Sequence, residues 1–215
     1  PHLLERLAAE QPGQRIQTSV RQALQRQTQA LVNRYAREYS SNHIYNLAAI
    51  VADVETGEVL AYAGNATYPA DERRGNQVDI ITSPRSTGSI LKPFLYAGML
   101  HDGLLLPSML VSDVPLNING FSPHNYNKTF YGAVPAHVAI ERSLNVPLVR
   151  MLSQYNTGRF MSLLKSWGMT TLRFSEEHYG ASLILGGAEG TLWDLSGMYA
   201  SMSREIGRAS CRERV

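Results

Sequence analysis

Pro93 constrains this chain more than any other residue. Proline lacks a backbone N–H and its ring collides with the preceding turn, so a helix tolerates it only in the first turn. The apolar residues from Ile90 to Leu100 recur at helical spacing and stop at Asp102-Gly103. A helix is therefore predicted to begin around Ser89, straight after the small, polar stretch Pro84-Arg85-Ser86-Thr87-Gly88. Lys92 then lies one turn beyond Ser89 on the same helical face. Serine is a poor nucleophile at its own pKa and needs a neighbouring base. A helix start adds unpaired backbone N–H groups and the positive end of the helix dipole, which favour negative charge on the serine oxygen and on an acyl oxyanion. Lys92 must be neutral to act as that base, and burial lowers a lysine pKa by enough to allow it.

Spacing alone does not select Ser89. Ser162 and Lys165 repeat it, but in the middle of an amphipathic helical pattern with no glycine before and no proline after. A second hydroxyl and an amide follow at Ser143-Leu144-Asn145, just before Val146-Pro147. A hydroxyl there suits a proton relay, and an amide suits holding the lysine and gripping a peptide backbone. The plain alternative is that both residues cap helix ends.

Around these motifs the pattern mixes strands and helices. Ala48–Ala52 and Val59–Ala63 are β-prone runs joined by a turn at Glu55-Thr56-Gly57-Glu58, which reads as a hairpin. Gln14–Ser19 alternates like a short strand. A helix is expected from about Thr18 to Tyr39, capped by Thr18 or Ser19, and further helices over Pro135–Ser143, Pro147–Gln154, Arg159–Trp167 and Thr191–Ser203. Leu104–Val134, punctuated by Pro107, Pro115, Gly120, Pro123 and Gly132, reads as loop-rich. Gly186-Gly187 lacks the lysine of a phosphate loop and reads as a tight turn.

With 215 residues, 44% of them hydrophobic, the chain can bury one ordinary core. A net charge of +2 with no basic run in the body gives no reason to expect nucleic acid. No apolar run is long enough to span a bilayer. Cys211 is the sole cysteine, which excludes an intrachain disulfide and a cysteine-based metal site. His124 reads as packing or surface, and His137 and His178 have no partners at metal-ligand spacing, so neither metal nor cofactor is expected.

Glu205–Val215 (EIGRASCRERV) carries three arginines, the cysteine and no apolar period, and matches one reading frame of a common sequencing adapter. The native sequence is expected to stop near Arg204. With no initiating Met and no signal peptide in Pro1–Glu10, the chain is expected to start inside a longer protein. The expected organisation is a lead-in and N-terminal helix over 1–45, a partial catalytic domain over 46–204, and a foreign tail over 205–215.

Ser89-x-x-Lys92 followed by Ser143-x-Asn145 resembles the first two motifs of the penicillin-binding proteins and serine β-lactamases. Ala52–Tyr62, Gln77-Val78-Asp79, Pro84–Ser89, Lys92–Tyr96, Pro123-His124-Asn125-Tyr126, Arg142–Pro147 and Leu185–Glu189 are similar to the transpeptidase domain of the bifunctional class A members. The resemblance implies an α/β (α+β) fold, a mainly antiparallel sheet with helices on both faces, incomplete here. It implies acylation of the serine by the D-Ala-D-Ala end of a peptidoglycan stem peptide, loss of D-Ala, and transfer to an acceptor amine of a second stem peptide. β-Lactams would trap the serine. Carried over, Ser89 is the nucleophile, Lys92 the base, Ser143 the relay and Asn145 the positioner, with Asn145 and Gly88 meeting substrate. A membrane anchor and a glycan-polymerising domain are implied for the parent protein, with this domain outside the cytoplasmic membrane. The family's third motif, Lys-Thr/Ser-Gly, is absent, and truncation is the expected reason. A D,D-carboxypeptidase or β-lactamase on the same scaffold stays open, as does a non-catalytic penicillin-binding sensor. A long-lived penicilloyl adduct speaks for the transpeptidase. Rapid release of hydrolysed drug speaks for a hydrolase.

Overall fold

The computed structural model describes residues 2–67, 72–118 and 120–204, so the adapter-like tail lies outside the described residues. In chain order the elements are α1 (His2–Glu10), α2 (Gln22–Tyr39), β1 (Ala49–Ala52), β2 (Val59–Ala63), β3 (Arg85–Ser86), α3 (Lys92–His101), β4 (Leu110–Asp113), β5 (Gly132–Pro135), α4 (Ala136–Glu141), α5 (Asn145–Tyr155), α6 (Thr157–Ser166), α7 (Glu176–Tyr179), β6 (Glu189–Gly190) and α8 (Leu192–Ser203). They gather into two compact units. The first holds the chain up to Pro84, Trp167–Met169 and α8, and the second holds Arg85–Ser166 and Thr170–Gly190.

The first unit is built on the expected hairpin. β1 and β2 pair antiparallel, Ala49 opposite Ala63 and Ile50 opposite Tyr62, with a bulge at Val51/Ala52. Its turn is closed by Asp53, whose carboxylate accepts from the Thr56 N–H at 2.8 Å and the Thr56 hydroxyl at 3.1 Å. Those bonds hold the Asp53 carboxyl below its usual range. Val32 and Ala36 of α2 are buried with Ala63 and Ala66. A second cluster joins Val59, Tyr62 and Ile81 to Leu3 of α1 and to Leu192 and Trp193 of α8.

Two local expectations fail here. Gln14–Ser19 forms no strand, and α2 begins at Gln22 with Arg21 in the capping position and no side-chain cap. The reason is that the segment is held extended against β2 as far as Arg21, the Ser19 hydroxyl donating to the Val59 carbonyl at 2.8 Å and the Arg21 N–H to the Leu60 carbonyl at 2.9 Å. β2 is instead covered by a side chain. The Gln25 amide donates to the Tyr62 carbonyl at 3.0 Å and accepts from the Tyr62 N–H at 2.8 Å, as a neighbouring strand would. The helix α1 had no counterpart in the sequence reading.

The second unit is mostly helical. Phe94, Leu95 and Met99 of α3, Leu148, Met151 and Leu152 of α5, and Phe160 and Leu164 of α6 are all buried. Leu183 and Ile184, on a 3₁₀ turn over Gly180–Leu185, join them. The segment read as loop-rich carries one short antiparallel pair, β4 with β5, Leu110 opposite Pro135 and Asp113 opposite Gly132. β3 pairs antiparallel with β6, Arg85 opposite Gly190. Every strand pair among the described residues is antiparallel, and helices and strands mix as expected for the α+β class.

Candidate active site

The β3–β6 pairing delivers the serine. Thr87 donates its N–H and its hydroxyl to the Ala188 carbonyl, each at 3.0 Å, and the Ser86 hydroxyl donates to the Gly186 carbonyl at 2.8 Å. Gly88 then turns the chain with φ of 51°, a left-handed conformation that glycine adopts without strain. The close approach from the other side requires a second glycine. A Cβ on Gly186 would lie 2.8 Å from the Gly88 Cα. Ser89 emerges from this clamp exposed.

The helix starts later than the sequence suggested. Ser89 lies in a turn, and α3 begins at Lys92. In an α-helix the Ser89 carbonyl would accept from residue 93, but Pro93 has no N–H to give. The Lys92 N–H takes that carbonyl instead, at 3.1 Å, which makes a 3₁₀-type turn. The serine thus stands just ahead of the helix and Lys92 occupies its first position.

Lys92 is 1% exposed. Its Nζ donates to the Ser143 carbonyl at 2.7 Å and to Asn145 Oδ1 at 2.7 Å, and lies 3.2 Å from the Ser143 hydroxyl. No carboxylate is among these partners, so burial dominates and brings the Lys92 pKa down to about 8. A neutral amine has two N–H donors and one lone pair. The two short bonds use both donors and leave the lone pair for a hydroxyl proton.

Ser143 owes its place to the end of α4. Its N–H donates to the Ile140 carbonyl at 3.0 Å, and the Leu144 N–H reaches the Ala139 carbonyl at 2.9 Å. This is the Schellman helix ending, which needs a left-handed residue, usually glycine. Here a serine fills it with φ of 51°. Asn145 is the first residue of α5, and its Nδ2 donates to the His124 carbonyl at 2.8 Å, which leaves its Oδ1 facing Lys92. Both residues do stand at helix ends. The fold uses those ends to bring their side chains to Lys92.

The structure therefore brings Lys92, Ser143 and Asn145 into direct contact, with Ser89 and Gly88 on the turn leading into the lysine's helix. The competing Ser162–Lys165 pair lies within α6, and its hydroxyl is tied to the Gly158 carbonyl at 2.9 Å. His124 is exposed and enters the site only through its carbonyl. Sequence reasoning missed Asn125, Asp113 and Gly186. Asn125 lies in the family-like stretch Pro123–Tyr126 but carried no role, Asp113 carried no signal, and the Gly186 pair read as a turn without its neighbour.

An exposed serine set ahead of a buried, readily deprotonated lysine, with a second serine and an amide on that lysine, suits acyl transfer through a serine ester. Residues 47–190 match the family model of the penicillin-binding protein transpeptidase domain, and the chain belongs to that family. It is 34% identical over 190 residues to penicillin-binding protein 1C of Escherichia coli K12, covering 88% of this chain and 24% of that protein. Among solved structures, the penicillin-binding protein PonA1 of Mycobacterium tuberculosis superposes with a TM-score of 0.73 at 20% identity, covering 94% of this chain and 55% of PonA1. PonA1 in complex with penicillin V gives a TM-score of 0.66 at 19% identity, again over 94% of this chain and 55% of the other. The structural likeness shows the shared fold. The chain spans about a quarter of its penicillin-binding protein 1C relative.

Proposed function

We propose that this chain is the nucleophile-bearing part of a peptidoglycan D,D-transpeptidase of the class A type. Neutral Lys92 takes the proton of Ser89 Oγ, which attacks the carbonyl of the penultimate D-Ala. The C–N bond breaks, and the terminal D-Ala leaves as an amine that receives its proton through Ser143. The acceptor amine of a second stem peptide then attacks the ester and frees Ser89. Asn145 holds Lys92 and, with Gly88, meets the peptide backbone. The observation that carries this reading is the buried Lys92 amine, aligned by the Ser143 carbonyl and Asn145 Oδ1 on the helix that follows Ser89.

The same reading places the domain over 46–204 of the chain, outside the cytoplasmic membrane, in a membrane-anchored parent. No helix among the described residues is long and apolar enough to cross a membrane. Resequencing the codons for Met202–Val215 and beyond tests the reading: a sequence that replaces the adapter-like tail and runs into Lys-Thr/Ser-Gly supports it, and a tail read again unchanged counts against it. The activity test is labelling of the whole gene product with fluorescent penicillin. A stable adduct on Ser89, absent from Ser89→Ala, is the expected result. An adduct that persists in Ser89→Ala refutes the assignment of the nucleophile.

A further inference from the structure

The start of α5 has an unusual cap. A helix leaves its first four N–H groups without intrahelical partners. Here the N-cap residue, Leu144, has no side chain able to accept, and its own N–H is used by the Ala139 carbonyl. Pro147 contributes no N–H. The remaining two, of Asn145 and Val146, both donate to Asn125 Oδ1, at 2.9 and 3.3 Å. The cap therefore comes from a different segment of the chain.

The orientation of Asn125 is fixed from behind. Its Nδ2 donates to Asp113 Oδ1 at 2.9 Å, to Asp113 Oδ2 at 3.0 Å and to the Thr129 carbonyl at 2.9 Å. Asp113 Oδ2 also accepts from the Tyr131 N–H at 3.0 Å. Asp113 is 0% exposed and Asn125 is 3% exposed, so neither exchanges these bonds for water. An amide has one donating end and one accepting end. A carboxylate can only accept, so Asp113 holds the donating end and the oxygen must face α5. The neighbouring His124 carbonyl holds the Asn145 side chain, so one loop sets both the backbone and the amide of Asn145.

We propose that Asp113 and Asn125 form a buried positioning pair that sets the orientation of Asn145 and, through it, of the Lys92 amine. The inference rests on the transpeptidase reading of the site. The pair touches neither substrate nor nucleophile and acts only through Asn145.

The decisive variant is Asp113→Asn, which keeps the shape. The Tyr131 N–H claims the new amide's oxygen, so its NH₂ confronts the NH₂ of Asn125. Asn125 either stays against that donor or turns over, and turning over sets its NH₂ against the N–H groups of α5 and its oxygen against the Thr129 carbonyl. In the double variant Asp113→Asn/Asn125→Asp a carboxylate at 125 accepts from the new amide and from both α5 N–H groups, which restores the match at α5, while its other contact, the Thr129 carbonyl, loses its donor.

The experiment uses the whole gene product, with stopped-flow acylation by a fluorescent penicillin and a thermal melt for every variant. Asp113→Asn is expected to acylate about tenfold slower or more at saturating drug, because Asn125 is left with a mismatched contact in either orientation. Drug binding before acylation is expected to change little, and the pH midpoint of acylation to move. The double variant is expected to recover part of the rate lost in Asp113→Asn. Unchanged acylation in Asp113→Asn overturns the proposal. So does an equal loss in the single and double variants that tracks the loss of melting temperature, because that is a structural role alone. Wild-type protein that fails to acylate at all refutes the transpeptidase reading instead.

Discussion

Ser143 offers a separation of stability from activity. It occupies the left-handed position of a Schellman ending with φ of 51°, where a residue with a Cβ is strained by about 1 kcal/mol or somewhat more. The residue is exposed, and its hydroxyl meets Lys92 Nζ at 3.2 Å. Its carbonyl, the stronger hold on Lys92 at 2.7 Å, belongs to the backbone and survives any substitution. Ser143→Gly and Ser143→Ala therefore remove the same hydroxyl and differ in strain. Glycine relieves the strain, but its greater unfolded-state freedom takes part of the gain back. The net expectation is a Ser143→Gly protein more stable than Ser143→Ala by about 0.5–1 kcal/mol, a melting difference of about 1–4 °C in a domain of this size. Both variants lose a proton-transfer group, and acylation by penicillin should fall by about 100-fold in each. The assay pairs thermal melts with stopped-flow acylation on the whole gene product. Two results refute the reasoning. If Ser143→Gly melts at or below Ser143→Ala, the left-handed strain is not there. If both acylate at the wild-type rate, Ser143 is no relay.

Acylation should rise with pH and level off above about 8, because only the neutral Lys92 amine accepts a proton and about a tenth of it is neutral at pH 7. A rate independent of pH between 6 and 9 argues against Lys92 as the base. The same burial sets a stability term. Lys92 releases its proton more readily folded than unfolded, so its cost is fully present below pH 8 and fades as pH climbs toward its unfolded value of 10.5. The stability gap between wild type and Lys92→Met, followed by urea denaturation, should shift in favour of wild type across that interval, by up to about 3 kcal/mol. Gly186→Ala drives a methyl group into the Gly88 backbone at 2.8 Å and strains a residue with φ of 101°. It should cost about 1–3 kcal/mol in a thermal or urea melt, and also slow acylation as Ser89 is displaced. A slowed reaction at full stability, or lost stability at full rate, separates the two consequences.

The positioning pair shows why some of the site escaped the sequence. Asn125 and Asp113 are 12 residues apart and carry no periodic signature, and their meaning lies in which donors face which acceptors. Gly186 gains its role from a neighbour about a hundred residues away, brought close by β3 and β6. The same cause moved the ends of the helices. Ser19 was expected as a cap and instead serves the Val59 carbonyl, a partner that exists only once β2 is alongside.

What the sequence determined by itself is the chemistry that depends on neighbours along the chain. Pro93 confines the start of α3 to within a turn of itself, though the sequence placed it at Ser89 and not at Lys92, and the β1–β2 hairpin follows from two β-prone runs and a turn. Ser143-x-Asn145 was legible as a pair at helix ends for the same reason. Only the tertiary structure decided that Lys92 is buried and easily deprotonated, that it meets Ser143 and Asn145 more than 50 residues on, and that Asn125 caps α5 from outside. Desolvation and hydrogen-bond direction arise between segments distant in the chain, and a linear pattern does not record which of them meet.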